Sequence, residues 1–165
     1  MNNSKYASLA TINAAEKRIE KELRFTITCK NTMKVYEYDL SNKLYFTQHQ
    51  EIVSVVAWAI YKRRNSQGHE TRISTIDCLS NFFKFLGEKN LYDLKGLTRS
   101  LLNQYAEWLK RYSGLSYSSS AGQYRTLSPL FRQMNRHPNV SDDFTPIKNA
   151  FPKSETLKAT TTGYN

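Results

Sequence analysis

The residues of this sequence best suited to chemistry are arginines spaced for one helical face. Arg125, Arg132 and Arg136 are separated by seven and four positions, and residues at such intervals lie on the same side of a helix. The segment that carries them, 116–136, contains no aspartate or glutamate that could pair with them. The face is therefore either a solvated surface or a binding surface for a polyanion, because arginine contacts both phosphates and guanine edges.

Neutral hydrogen-bond donors precede the arginines, near the predicted start of the same helix. These donors are Ser118, Ser119, Ser120 and Tyr124. Free N–H groups at a helix start also attract phosphate. A second basic cluster, formed by Lys62, Arg63 and Arg64, follows an apolar helical run. It either binds the same polyanion or complements the dipole at the end of its own helix.

No set of residues has the spacing of a catalytic or metal site. His49, His69 and His137 are scattered and fit no metal-ligand pattern. The six glycines form no phosphate-binding loop, and serines 118–120 lack the Gly-x-Ser-x-Gly frame of hydrolases. We therefore expect that the chain by itself is not a catalyst and binds no metal, cofactor or small-molecule ligand.

Charge is the strongest signal in the composition. The 165 residues include 24 Lys and Arg against 14 Asp and Glu, which gives a formal charge of +10. Such an excess favours nucleic acid or an anionic membrane surface as partner, and the apolar stripes described below have the pattern of a core rather than of a membrane-bound face. With 39% hydrophobic residues the chain is too apolar for intrinsic disorder.

The sequence predicts a protein of the cytoplasm. No stretch approaches the ~18 apolar residues of a membrane span. The amino terminus has no apolar signal-peptide core. Cys29 and Cys78 fit no Cys-x-x-Cys spacing, so we expect two buried free thiols in a reducing compartment.

The first 68 residues are predicted to hold a polar arm, a β-hairpin and one helix. The arm covers 1–22, with a short helix possible around 14–21. Apolar and polar residues alternate over 23–28 and again over 35–39, with a turn at 30–33 between them, which is typical of a hairpin. An apolar helical run follows Thr47, whose hydroxyl and Gln50 have the spacing of a capping box. Gly68 marks the predicted domain boundary.

Residues 69–140 are predicted to be helical throughout. One apolar stripe runs from Ile73 to Leu86, with Ser74 and Asp77 as candidates to cap its start. A second helix is predicted to begin at the cap Thr98, and a third at Ser116. Pro129 lies inside the third and predicts a kink or a restart. For 141–165 we expect a short helix that begins at residues 145–146, followed by a linker.

The region from Thr71 to about Val140 resembles the SAM-like core-binding domain of phage integrases and other tyrosine recombinases. The resemblance rests on helix starts and core positions in three blocks. These are Ser74-Thr75-Ile76 with Leu79 and 82–86; Leu94 and Leu97-Thr98 with Leu101-Leu102 and 105–109; and 118–121 with Tyr124, Leu127 and Phe131. The predicted fold is therefore mainly α, a SAM-like helical bundle preceded by a β-hairpin and a helix.

The resemblance implies that the bundle lies on one side of duplex DNA, as half of a clamp. By this analogy Arg72, Ser74 and Thr75 would approach phosphates, whereas Arg125, Arg132 and Arg136 would lie toward the groove with serines 118–120 and Tyr124. The catalytic residues of the family belong to a later domain, and none is found here; Tyr164 falls in the predicted linker. The expected function is duplex binding for site-specific integration or recombination, with self-association on DNA.

Two other functions are compatible with the same residues. The first is a phage or plasmid DNA-binding regulator with no recombinase domain. The second is a helical protein-interaction module whose basic surface is incidental.

Overall fold

The computed structural model of the protein describes residues 8–153. The predicted linker, with Tyr164, lies outside these residues. The described part is mainly helical, with five α-helices and one antiparallel hairpin, as the sequence predicts at this level. No helix in it is long and apolar enough to cross a bilayer.

The chain divides into two compact units, the first ending at Asp93 and the second beginning at Leu94. The division does not fall at Gly68, where the sequence predicts a boundary. The helix after Gly68 belongs to the first unit because its aromatic and polar residues contact that unit; Phe83, for example, packs on Phe46 with ring centroids 4.4 Å apart. The three helices that carry the family resemblance are consequently distributed over both units.

The first unit opens with a helix and a hairpin. Helix α1 (Leu9–Glu22) ends where Leu23 adopts the left-handed conformation, with φ of 58°. Strands β1 (Arg24–Thr28) and β2 (Val35–Asp39) then pair antiparallel, with Phe25 opposite Tyr38. Both of these rings are buried and they stack at 5.1 Å. The hairpin prediction is therefore confirmed, with its apolar side on the core of the unit.

Helix α2 (Gln50–Lys62) supplies more buried apolar residues to the first unit than any other element. The predicted capping box is wrong, because the N-cap is His49 and its side chain makes no capping hydrogen bond. Phe46 and His49 are both buried, and the backbone N–H of His49 donates to the carbonyl of Phe46 at 3.0 Å. This turn directs both rings inward. Thr47 therefore lies before the N-cap and does not cap the helix.

Helix α3 (His69–Glu88) begins five residues before the predicted cap at Ser74. Its N-cap is Gly68, without a side-chain hydrogen bond, and the His69 ring stacks on Tyr36 at 3.9 Å. This contact with the hairpin extends the helix beyond the apolar stripe visible in the sequence. Cys29 and Cys78 are both free thiols, but they are half-buried rather than buried as predicted.

The second unit contains a 3-10 turn (Leu94–Gly96), α4 (Arg99–Tyr112) and α5 (Tyr117–Met134). Both predicted caps are confirmed, since the Thr98 hydroxyl accepts from the N–H of Leu101 and the Ser116 hydroxyl from that of Ser119, each at 3.1 Å. The predicted restart at Pro129 is not found, because α5 continues through it.

The segment after α5 is irregular from 135 to 152, so the predicted helix start at 145–146 is wrong. The Thr145 hydroxyl accepts a hydrogen bond from the Arg99 guanidinium at 2.7 Å. Phe144 is fully buried, with its ring 5.6 Å from that of Phe131. These two contacts hold the segment against α4 and α5.

Candidate nucleic-acid interface

Helix α5 presents two different faces. Its inner face is buried and consists of Ser120, Tyr124, Leu127, Leu130, Phe131 and Met134. Its outer face carries Ala121, Arg125, Ser128 and Arg132, whose spacing of three or four residues places them in one row. The two faces follow directly from the period of the helix, so the arginines point away from the core.

A groove of about 370 Å³ runs along this outer row. Its second wall is the returning segment Ile147–Phe151, which we call the strap. The Phe151 ring fixes the strap, because it packs on Tyr117 at 5.4 Å and on Tyr124 at 5.6 Å. The Tyr117 hydroxyl donates to the carbonyl of Pro152 at 2.8 Å. The strap thus brings Lys148 and Asn149 to the groove lined by the arginines.

The groove is strongly basic, and its cations are not neutralised. Arg125, Arg132 and Lys148 are exposed and make no ion pair within residues 8–153. Elsewhere in the same unit, Lys110 and Arg111 both lie within 4 Å of the Glu107 carboxylate. Cations without internal partners attract anions from solution.

Most of the excess charge of the described chain resides in the second unit. Residues 94–153 contain nine Lys and Arg against three Asp and Glu, whereas 8–93 contain 13 against ten. The first unit also pairs its charges, with Lys62 on Glu16 at 2.8 Å and Arg18 on Glu37 at 2.6 Å. The positive field is therefore centred on the unit that holds the groove.

Tyr124 lines the groove, and its hydroxyl is buried beneath the surface. The residue is only 4% exposed, and its hydroxyl makes no hydrogen bond within the described structure. Burial raises the pKa of Tyr124 to about 12, and the nearby Ile147 backbone offsets this only in part, without forming a bond of good geometry. The group is thus a protonated donor at neutral pH, next to the strap residue that lines the groove.

The serines at the start of α5 divide into two kinds. Ser118 and Ser119 are exposed, although the N–H of Ser119 is already capped by Ser116. Ser120 is fully buried and donates to the carbonyl of Leu109 at 2.8 Å, so it serves the packing of α4 on α5. Arg136 is exposed beyond the end of α5 and does not line the groove.

The residues predicted by analogy in α3 are placed differently. Arg72 is 2% exposed; its Nε donates to the Tyr38 hydroxyl at 2.7 Å and its Nη1 to the carbonyl of Gln67 at 2.6 Å. Thr75 is 3% exposed and donates to the carbonyl of Thr71. Ser74 is exposed, but it lies inside α3 rather than at its start. Arg72 and Thr75 therefore face the interior, and a phosphate in solution cannot reach them.

The basic cluster at the end of α2 is largely engaged within the first unit. Lys62 pairs with Glu16. Arg64 donates to the carbonyl of Tyr61 at 3.1 Å and lies over the Tyr61 ring at 4.4 Å. Arg63 is half-buried. The bond from Arg64 to the Tyr61 carbonyl matches the helix-end role that the sequence left open, whereas Lys62 pairs with a carboxylate of α1.

Sequence reasoning missed the strap, including Lys148, Asn149 and Phe151. The available signal was the apolar and aromatic pair Ile147 and Phe151 flanking a lysine in a segment predicted to be a helix and linker.

Within residues 8–153, no three His, Cys, Asp or Glu side chains gather as metal ligands. In comparisons with known proteins, no family, curated protein or solved structure matches this chain.

Proposed function

We propose that the protein binds duplex DNA through the outer face of α5 and the strap. The observation that carries this proposal is the row of exposed Arg125 and Arg132, joined by Lys148, with no carboxylate paired to any of them. Ser118, Ser119 and Arg136 extend the same surface toward both ends of α5. Phosphate contacts of this kind supply most of the affinity of a protein for DNA.

The dependence of affinity on salt tests this proposal. Three neutralised phosphates give a slope of about −2.7 in a plot of log affinity against log salt, so affinity falls about 40-fold between roughly 50 and 200 mM. Fluorescence anisotropy of a labelled duplex measures both values. The double variant Arg125→Gln with Arg132→Gln should reduce the magnitude of this slope by about 1.8, because two phosphate contacts are lost. Its thermal stability should be nearly unchanged, because both side chains are exposed.

Arg111→Gln is the matched control. It removes one charge, as Arg125→Gln alone does, from an exposed position of the second unit, but from a side chain that lies near Glu107 and outside the groove. This control should retain almost all of the affinity. A slope near zero for the wild type, or equal losses in the control and in Arg125→Gln alone, would contradict specific use of the α5 face. A wild type without salt-dependent DNA binding would favour the protein-interaction module.

A finer proposal is that this DNA binding serves a site-specific tyrosine recombinase, in which the chain forms the amino-terminal part of the clamp and self-associates on DNA. Its support is the resemblance of 71–140 to core-binding domains. The nucleotide sequence beyond the codon for Asn165 tests it directly. An open frame with an arginine, a His-x-x-Arg motif and a late tyrosine agrees with the recombinase; a stop codon there favours the stand-alone regulator.

A further inference from the structure

The turn before α2 exposes two neighbouring apolar side chains. The N–H of Phe46 donates to the carbonyl of Lys43 at 3.0 Å, which closes a β-turn with Leu44 and Tyr45 at its centre. Leu44 is 72% exposed and Tyr45 is 42% exposed, whereas the Phe46 ring is buried and packs on Phe83. The Phe46 ring thus anchors the turn to α3 and leaves the two central residues accessible from solution.

Tyr45 has a backbone conformation that suits a smaller residue. Its φ is 71°, in the left-handed region, at the second central position of the turn. Glycine or asparagine ordinarily occupies such a position, because a bulky side chain is strained there. Burial does not explain the choice of tyrosine, since the residue remains exposed. Strained residues of this kind are characteristic of binding sites, where the displayed side chain has a use.

The cations beside the turn suit it to an anionic partner. Lys84 on α3 places its Nζ 6.0 Å from the centroid of the Tyr45 ring, and Lys43 begins the turn. Both lysines are exposed, and neither forms an ion pair within residues 8–153. The turn segment 40–48 and the adjacent part of α3, 79–87, contain no aspartate or glutamate. An aromatic ring beside unneutralised lysines is the combination with which proteins bind single-stranded nucleic acid.

The small apolar area of the turn decides between anionic partners. Leu44 and Tyr45 together are far smaller than the roughly 800 Å² that each partner contributes to a stable protein interface. Two side chains also bury too little apolar surface to hold a protein on a lipid bilayer, where even one acyl chain binds only marginally. A single base matches the turn in size, because stacking needs one face of one aromatic ring.

We propose that this turn binds an unpaired base of a single-stranded nucleic acid. The base stacks on the Tyr45 ring with Leu44 beside it, and Lys43 and Lys84 contact the flanking phosphates. A base inside a duplex has both faces covered by its neighbours, so the ligand is a single strand or the unpaired end of a duplex. The site lies in the first unit and goes beyond the proposed function, which uses residues of the second unit and does not require it.

Binding of a labelled oligothymidine of about 12 nucleotides tests the site by fluorescence anisotropy. The background is the double variant Arg125→Gln with Arg132→Gln, so that the α5 face contributes little. Tyr45→Asn removes the ring but keeps a residue suited to a positive φ, so affinity should fall about tenfold while the fold is retained. Tyr45→Phe keeps the ring and should retain the affinity. Tyr112→Asn is the matched control, because Tyr112 is a 71% exposed tyrosine of the second unit.

A strand of the same length with abasic sites in place of its bases separates stacking from charge. Tyr45→Asn should leave the affinity for this strand unchanged, because only its phosphates remain to be bound. The double variant Lys43→Gln with Lys84→Gln should reduce the magnitude of the salt slope by about 1.4 for either strand, since each lysine neutralises one phosphate.

The proposal is overturned if Tyr45→Asn weakens the abasic strand as much as oligothymidine, or if it has no larger effect than Tyr112→Asn. It is also overturned if Tyr45→Asn weakens binding to phosphatidylserine vesicles but not to oligothymidine. Failure here is distinguishable from failure of the proposed function. Duplex binding through the α5 face without Tyr45-dependent strand binding would overturn only the turn site, and strand binding through Tyr45 without duplex binding would overturn only the proposed function.

Discussion

Arg72 gives the sharpest test of which basic residues of this protein serve the fold and which serve binding. Its guanidinium is buried in the first unit, donating from Nε to the Tyr38 hydroxyl at 2.7 Å and from Nη1 to the Gln67 carbonyl at 2.6 Å. The Tyr38 hydroxyl also lies 2.7 Å from His69 Nδ1. Arg72 thus joins the hairpin, the turn before α3 and the first turns of α3. We expect Arg72→Ala to destabilise the protein rather than to weaken DNA binding directly.

The magnitude follows from these contacts. A hydrogen bond that involves a charged group contributes about 1.5–3 kcal/mol net, so two of them give about 3–6 kcal/mol. Removing a buried cation also removes the cost of its desolvation, which offsets part of this loss. We therefore expect the free energy of unfolding of Arg72→Ala to fall by about 3 kcal/mol. Arg72→Met refills the volume of the side-chain stem, so its loss should be smaller.

Urea denaturation measures this effect, with tryptophan fluorescence as the probe. Trp58 lies in α2 of the first unit and Trp108 in α4 of the second, so a Trp108→Phe background reports on the first unit alone. Lys84→Ala is the matched control, because Lys84 is an exposed cation on the same helix. It should change stability by no more than about 0.5 kcal/mol. Unchanged stability of Arg72→Ala combined with a shallower salt slope for DNA would refute this structural role of Arg72.

Two further predictions concern a helix cap and a buried histidine. Thr98→Ala removes the cap of α4 and should lower the free energy of unfolding by about 1 kcal/mol, whereas Thr98→Ser should retain it; chemical denaturation followed through Trp108 measures the difference. Burial lowers the pKa of His49, so the unfolded chain takes up this proton more readily than the folded one. The stability contributed by neutral His49 is fully present above an unfolded-state pKa of about 6.5 and is lost as pH falls below it. Denaturation over a pH series should show this decline in the wild type and a weaker one in His49→Leu, and equal declines would contradict the assignment.

The sequence predicts those elements of this fold whose causes are local. Alternation over 23–28 and 35–39 predicts the hairpin because both strands have one buried side. Thr98 and Ser116 are recognisable as caps because each hydroxyl reaches an N–H only three residues away. The outer row of α5 is predictable for the same reason, since helical period alone relates Arg125 to Arg132.

Features that depend on distant contacts could not be predicted in this way. The start of α3 is set by the stacking of His69 on Tyr36, 33 positions earlier, and no apolar stripe marks it. Arg72 has the sequence context of a surface arginine, and only the approach of Tyr38 and Gln67 shows that it is buried. The strap depends on contacts of Phe151 with Tyr117 and Tyr124, so the groove it completes is invisible to helix periodicity.

Helix α5 is stabilised by its inner face, which leaves its outer face available for binding. The helix contains serines 118–120, Gly122, Thr126, Ser128 and Pro129, all of which are poorer helix formers than alanine. It has no acidic residue to form stabilising pairs with its arginines, and Pro129 removes one backbone hydrogen bond from the Arg125 carbonyl. Burial of Leu127, Phe131 and the rest of the inner face must therefore outweigh a low intrinsic propensity. Because Arg125 and Arg132 are exposed and contribute nothing to that burial, their charges are available to the polyanion that we propose they bind.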